Sequence, residues 1–121
     1  MSFKPASAVV WTEIPVTDMA RAMTFYSDVF TYKLTIDDTG PNPVSFLPSS
    51  DEGCAGHLYP GKPSPDGPTI HLLVPDTLEA TMARVTNAGG KILSDPITIP
   101  PGRFAYANDP DGNSIGLFEA A

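Results

Sequence analysis

An internal repeat constrains the fold of this 121-residue chain more than any other feature of its sequence. Residues 16–18 (VTD) align with residues 74–76 (VPD) at an offset of 58, and the same offset aligns Phe46 with Phe104. Self-similarity at a fixed spacing indicates that one supersecondary unit occurs twice. We therefore expect two modules of the same architecture.

The first module is predicted to have the order β-α-β-β-β. Residues 8–16 are β-branched and aromatic enough for a strand, and Thr17 or Asp18 can cap the helix that follows. Apolar residues then recur at three- and four-residue steps from Met19 to Phe30, which is the pattern of a helix with one buried face. Segments rich in Gly, Pro, Asn and Asp separate three further predicted strands at residues 33–37, 44–48 and 55–59.

The same order recurs after a linker at residues 60–68, which holds four prolines and two glycines. Asp76 is predicted to cap the second helix, and Gly89 and Gly90 to end it. The predicted strands of this module are residues 69–74, 91–94, 103–108 and 114–119. The prediction is an α+β fold with one domain over residues 1–121, module one at about 8–59 and module two at about 69–119.

The net charge limits the classes of binding partner, and the cysteine content bears on the cellular compartment. The net charge of −7 argues against nucleic acid or an anionic membrane surface and favours a neutral or cationic small molecule. Cys54 is the only cysteine, so no intrachain disulfide can form, and the first residues lack an apolar segment long enough for a signal peptide or a membrane span. We expect a cytoplasmic protein.

Several short motifs together resemble the vicinal oxygen chelate superfamily, also called the glyoxalase, bleomycin-resistance and extradiol dioxygenase fold. They are the VTD that ends the first strand, FY in the first helix, AGGKIL after the second helix, and DPDGNSIGLFE near the end. The resemblance implies that two tandem βαβββ modules form a curved mixed sheet, a half-barrel cup, and that the protein is a homodimer. The sequence departs from the family at Thr31, where a glycine usually ends the first helix.

Enzymes of this family hold a divalent metal with a His or Glu from the first and last strand of each module. The first-strand positions carry Trp11 and Thr69 here, and the last-strand position of module two carries Gly116. The corresponding position of module one is Gly56, His57 or Leu58. At least three of the four ligands are therefore missing, and we expect no metal and no other cofactor.

Strand alternation brings other side chains to the same face. Glu13 stands two residues after Trp11 and His71 two residues after Thr69, so we expect Glu13 and His71 to occupy equivalent places and to face each other. They could act as a general base and its orienting partner, or form a structural pair that joins two central strands. Together with His57 they would form a set of two histidines and one carboxylate able to bind Fe(II) or Zn(II).

The aromatic content favours a binding function. A Trp11 ring at the mouth of the cup can stack on a planar or cationic ligand. We predict a metal-independent small-molecule binding protein for a hydrophobic or cationic ligand. The alternatives are a metal-dependent lyase, isomerase or dioxygenase that uses Glu13, His71 and possibly His57, and an interaction module whose cup is filled by its own aromatic residues. The candidate ligand-binding residues are Trp11, Glu13, His57, Thr69, His71, Phe104, Tyr106 and Gly116.

Overall fold

A computed structural model describes residues 2–4, 9, 11–50 and 53–121 of the chain. These residues form two helices and eight strands, and the α+β class predicted from the sequence is confirmed. In the described part of the chain, no helix is long and apolar enough to cross a membrane. The elements are β1 (Thr12–Val16), α1 (Met19–Phe30), β2 (Ser45–Phe46), β3 (Gly56–Pro60), β4 (Ile70–Leu73), α2 (Leu78–Asn87), β5 (Lys91–Ile92), β6 (Ile97–Ile99), β7 (Gly102–Asn108) and β8 (Ser114–Ala120).

The strands form two mixed sheets, one for each half of the chain, and neither sheet closes into a barrel. The first has the order β1-β3-β2, and the second has the order β4-β8-β7-β5, with β6 also paired to β7. In both sheets the first and last strands of the module run parallel, β1 with β3 and β4 with β8, whereas the other pairs are antiparallel. The first strand of each module therefore lies at an edge of its sheet.

One hydrophobic cluster joins the two halves. It includes Ile14 and Leu58 from the first sheet and Ile115 and Leu117 from the second, all fully buried. The helices pack together on this core, and the Arg84 side chain of α2 donates a hydrogen bond of 2.9 Å to the main-chain oxygen of the α1 residue Val29. The residues that α1 buries are Ala22, Phe25, Tyr26, Val29 and Phe30.

The turn between β7 and β8 fastens module two to module one. Asp109 accepts backbone N–H groups from Asp111 and Asn113 within the turn, and its carboxylate also accepts the hydroxyl of buried Tyr26 on α1 at 2.9 Å. Burial, followed by the neighbouring Asp109 carboxylate, raises the pKa of the Tyr26 hydroxyl well above its ordinary value. Arg21 of α1 pairs with Asp111 at 2.6 Å. The turn is therefore a cross-module joint as well as a reversal of the chain.

The strands of module one differ from the prediction at three places. Residues 33–37 do not form a strand but only a single bridge between Asp37 and Val44. The Asp37 carboxylate accepts the Thr39 N–H at 3.0 Å, which folds the chain into a turn. The first strand begins at Thr12; residues 8 and 10 lie outside the described residues. Pro60, assigned to the linker, ends β3.

Two predictions in module two are also wrong. The N-cap of α2 is Thr77, whose hydroxyl accepts the Ala80 N–H at 3.2 Å, because the carboxylate of Asp76 is instead bound by Arg84 at 2.9 Å. Strand β6 was not predicted because prolines flank it on both sides. Since β6 lies at the edge of its sheet, those prolines interrupt no ladder beyond it.

The two helices end in the same left-handed conformation on different residues. Gly89 has a φ of 94° after α2, as predicted, whereas Thr31 has a φ of 63° after α1. A β-branched residue is strained there, since its Cβ lies close to the backbone.

Candidate functional site

The edges of β1 and β4 face each other across a cleft of about 650 Å³. Trp11, Glu13, Thr69 and His71 line this cleft, together with intervening residues of β1 and β4 such as Thr12, Ile14 and Ile70. A smaller cavity of about 280 Å³ adjoins it and shares Trp11 and His71. The cleft lies within one chain. Ligand binding by these residues stays a prediction.

The strand register decides which residue of module one corresponds to Gly116. Glu13 is the partner of His57 in the parallel pair β1–β3, just as His71 is the partner of Gly116 in the pair β4–β8. His57, and neither of its neighbours, is therefore the equivalent of Gly116.

The register also corrects the aromatic pair of the repeat. Phe46 is the partner of His57 on β3, and Tyr106 is the partner of Gly116 on β8. Phe46 is thus equivalent to Tyr106 and not to Phe104. The offset of 58 is valid for the first strand of each module but does not hold for the later strands, because the connecting loops differ in length.

His57 is the centre of a hydrogen-bonded group in module one. Its Nδ1 accepts the indole N–H of Trp11 at 3.1 Å, and its Nε2 lies 3.2 Å from a carboxylate oxygen of Glu13. Because Nδ1 is an acceptor, the neutral ring carries its proton on Nε2 and donates it to Glu13. The prediction that Glu13 pairs with His71 is therefore wrong, because Glu13 pairs with His57. Its side chain is 65% exposed, so the pair is not a buried structural bridge.

Aromatic rings surround this group. Three rings contact the His57 ring edge to face. The centroid-to-centroid distances are 5.7 Å for Trp11, 6.2 Å for Phe46 and 6.0 Å for Tyr59. Trp11 is 48% exposed and Phe46 is 49% exposed, so neither packs beneath a helix. Module one thus presents an aromatic wall to the solvent side of its sheet.

A second aromatic group occupies the equivalent place in module two. The His71 ring lies 5.2 Å from Phe104 and 5.9 Å from Tyr106, and those two rings lie 5.3 Å from each other. The imidazole covers Gly116, since a Cβ added there would come within 2.1 Å of His71 Nδ1. The glycine leaves the space that His71 occupies.

The four positions at which the resemblance implies metal ligands do not fit a metal ion. Trp11, Thr69 and Gly116 offer no suitable donor, and His57 engages both ring nitrogens with other side chains. Within the described residues, no three His, Cys, Asp or Glu side chains converge as a metal site. The proposed set of Glu13, His57 and His71 is therefore not brought together.

Sequence reasoning missed the polar part of the cleft. Asn113 and Ser114 follow the β7–β8 turn, and Lys62 and Ser64 belong to the proline-rich linker. Asn113 stands within the DPDGN motif, which by itself predicts only a turn between two strands.

Comparison with known proteins relates most of the chain to one family. Residues 8–117 match the sequence model of the Glyoxalase/Bleomycin resistance protein/Dioxygenase superfamily. A glyoxylase-like domain-containing protein of Didymella fabae is 35% identical over 117 residues, which cover 87% of this chain and 88% of that protein. A putative glyoxylase, CFP32, of Mycobacterium bovis is 29% identical over 93% of this chain, but the chain spans only 44% of its length.

Solved structures share the fold over nearly the whole chain. A glyoxalase/bleomycin resistance protein from Albidiferax ferrireducens T118 superposes with a TM-score of 0.76 at 18% identity, covering 95% of this chain and all of that one. TnmS3, an antibiotic binding protein from Streptomyces sp. CB03234, superposes with a TM-score of 0.65 at 26% identity, covering 98% of this chain and all of that one.

Proposed function

The chain belongs to the Glyoxalase/Bleomycin resistance protein/Dioxygenase superfamily, and we propose that it acts there as a metal-independent binding protein for a planar hydrophobic or cationic small molecule. The observation that carries this proposal is the half-exposed Trp11 in a cleft of about 650 Å³. That volume is in the range of small-molecule sites, which are mostly apolar and few in a protein.

The charge of the whole protein favours a cation. Among the described residues, the cleft itself holds one carboxylate, Glu13, and one ammonium, Lys62, whereas the net charge of −7 attracts cations from solution. The face of an indole ring adds an attraction for a cation stacked on it. His57 contributes by holding the indole N–H, so that Trp11 is fixed in one orientation before the ligand arrives.

The comparison with TnmS3 supports a binding role, because that protein is described as antibiotic binding. The metal-dependent alternative is not proposed, because the donor set it requires does not converge in the described residues. The remaining alternative, an interaction module with a cup filled by its own aromatic rings, predicts that no small molecule enters the cleft.

Trp11 is the only tryptophan, so its fluorescence reports on the cleft alone. We expect proflavine, a planar cation, or anthraquinone, a planar neutral molecule, to quench this emission saturably. Calorimetry would give the affinity. Trp11→Ala should weaken binding about 5- to 150-fold, since roughly 1 to 3 kcal/mol of stacking is removed. The fold should survive with a lower melting temperature, because the substitution also removes the hydrogen bond to His57. Absence of saturable binding by both probes would refute the proposal.

We also propose that the protein is a homodimer. Ile97 and Ile99 on the edge strand β6 and Leu73 on β4 are 38%, 36% and 64% exposed, and such edges favour association. Sedimentation at micromolar concentration should give twice the chain mass of 12.8 kDa. A monomer would contradict this proposal without affecting the binding role.

A further inference from the structure

We infer that the cleft selects ligands that carry an N–H or O–H donor, and that Asn113 is the residue that determines this selectivity. The inference rests on the proposed function and adds a chemical class to it. It follows from the hydrogen bonds that fix the Asn113 amide, from the atom that those bonds leave uncommitted, and from the polar neighbours of that atom.

The orientation of the Asn113 amide is fixed by two acceptors. Its Nδ2 donates to the main-chain oxygen of Pro15 at 2.7 Å and to the Asp109 carboxylate at 2.9 Å. An amide nitrogen has two hydrogens, and both are used here. Rotating the amide by 180° would place its oxygen against two acceptors, so the assigned orientation is the one that the surroundings allow.

The remaining polar atom, Oδ1 of Asn113, is an acceptor without a partner. The residue is 7% exposed and lines the cleft, and among the described residues no hydrogen bond is made to Oδ1. The fully enclosed, unpartnered side-chain atoms of the described part belong to Ser45 and Asp111. The Asn113 oxygen therefore keeps some contact with solvent, and we infer that this contact is in the cleft that the residue lines.

The other polar groups near Asn113 differ from it. Pro15 on β1 has no N–H, and its carbonyl accepts from Asn113. The hydroxyls of Thr69 and Ser114 lie 2.5 Å apart; one donates to the other and the accepting hydroxyl keeps its own hydrogen, so this pair can both donate to and accept from a ligand. The Lys62 ammonium, which only donates, is exposed at the rim. Of these groups, Asn113 Oδ1 is the uncommitted acceptor that cannot donate.

A bound ligand that displaces water from the Asn113 oxygen must replace the hydrogen bonds of that water. A ligand with an amino or hydroxyl donor can do so, whereas a ligand with only apolar surface leaves a buried acceptor unpaired. Selection against the missing donor should be about tenfold, which corresponds to about 1.4 kcal/mol.

Two acridine dyes provide a matched pair of probes. Both are used as their 10-methylacridinium cations, called proflavine and acridine orange below, because the parent dyes are protonated at the ring nitrogen and would both present an N–H. Proflavine then carries two primary amino groups, whereas acridine orange carries two dimethylamino groups and no N–H. We expect proflavine to bind about tenfold more tightly, measured by the fluorescence anisotropy of each dye. The extra methyl groups of acridine orange would by themselves favour the opposite order.

Asn113→Ala should remove the preference, and Asn42→Ala, in an exposed loop, should retain it. Because Asn113 also supports the turn, its variant can unfold, and a second measurement uses the unmodified protein. The side-chain amide NMR signals of Asn113 should shift with proflavine and not with acridine orange. Equal affinities, a preference for acridine orange, an unmoved Asn113 signal or failure of proflavine to bind would overturn the inference. If proflavine fails but anthraquinone binds, only the inference is overturned; the proposed function is refuted if neither of these two probes binds.

Discussion

Gly116 offers a direct test of the site geometry, because its missing side chain leaves the space that the His71 ring fills. A Cβ built on Gly116 lies 2.1 Å from His71 Nδ1 and 2.4 Å from Cε1 of the same ring. Contacts this short do not persist, so in Gly116→Ala the imidazole must leave. Since His71 is exposed, the ring can turn toward solvent and the fold should survive.

The magnitude follows from the contacts that the ring loses. His71 makes edge contacts with Phe104 and Tyr106 at centroid distances of 5.2 and 5.9 Å, and aromatic pairs of this kind contribute about 0.5–1.5 kcal/mol each. The loss of about 1–3 kcal/mol is partly offset, because alanine is favoured over glycine in a strand by roughly 0.5–1 kcal/mol. Gly116→Ala should therefore lower the free energy of unfolding by about 1 kcal/mol.

A double-mutant cycle isolates the contact. In the His71→Ala background the Gly116→Ala change meets no ring and should be neutral or stabilising, which gives a coupling energy of about 1–3 kcal/mol in urea unfolding. Gly56→Ala is the contrasting control, since its Cβ would lie 1.9 Å from the main-chain oxygen of Thr12, and His71→Ala cannot relieve that overlap. If Gly116→Ala has the same effect with and without His71, the ring does not cover Gly116.

Three further substitutions test the energetics of the fold. Ser45→Ala removes a fully buried hydroxyl without a partner and should raise the free energy of unfolding by about 1 kcal/mol; a decrease would mean that the hydroxyl has a partner. Thr31→Gly relieves a β-branched residue at a φ of 63° and should also raise stability by about 1 kcal/mol, seen as a higher melting temperature. The hydrogen bonds from Arg103 lower the pKa of Glu79 from 4.5 to about 2, so this pair stabilises the fold above pH 4.5 and its contribution is lost as the pH falls toward 2. Melting temperatures between pH 5 and pH 2 should fall less steeply for Glu79→Gln than for the unmodified protein, and parallel curves would contradict this linkage.

The helices could be predicted because their signals are local. The apolar spacing of residues 19–30 needs only one buried face, and the Asp18 carboxylate caps the helix by accepting the Arg21 N–H at 3.1 Å. Gly89 likewise ends α2 because glycine adopts a positive φ without strain. Caps and periodicity depend on residues within one or two turns, so a single sequence contains them.

The strand register could not be predicted, because it depends on loop lengths. Glu13 and His57 are 44 positions apart, whereas their counterparts His71 and Gly116 are 45 positions apart, so module two has one residue more between its first and last strands. A shift of one residue turns every side chain to the other face of a strand. The choice among Gly56, His57 and Leu58 therefore needed the backbone pairing itself.

Trp11 and His71 lie on one cleft, and the polar wall of that cleft arises from contacts between modules. The Asn113 amide that supports the joint with Pro15 and Asp109 is the same group that leaves an acceptor on the cleft. The nitrogen of this amide thus supports the turn, and its oxygen is the proposed recognition group. A variant that changes the preference at Asn113 must also break two hydrogen bonds of the joint, so its change in specificity should be accompanied by a loss of stability. Trp11 is half-exposed and makes one side-chain hydrogen bond, to His57, so affinity can be altered there with the loss of one hydrogen bond where Asn113 would lose two.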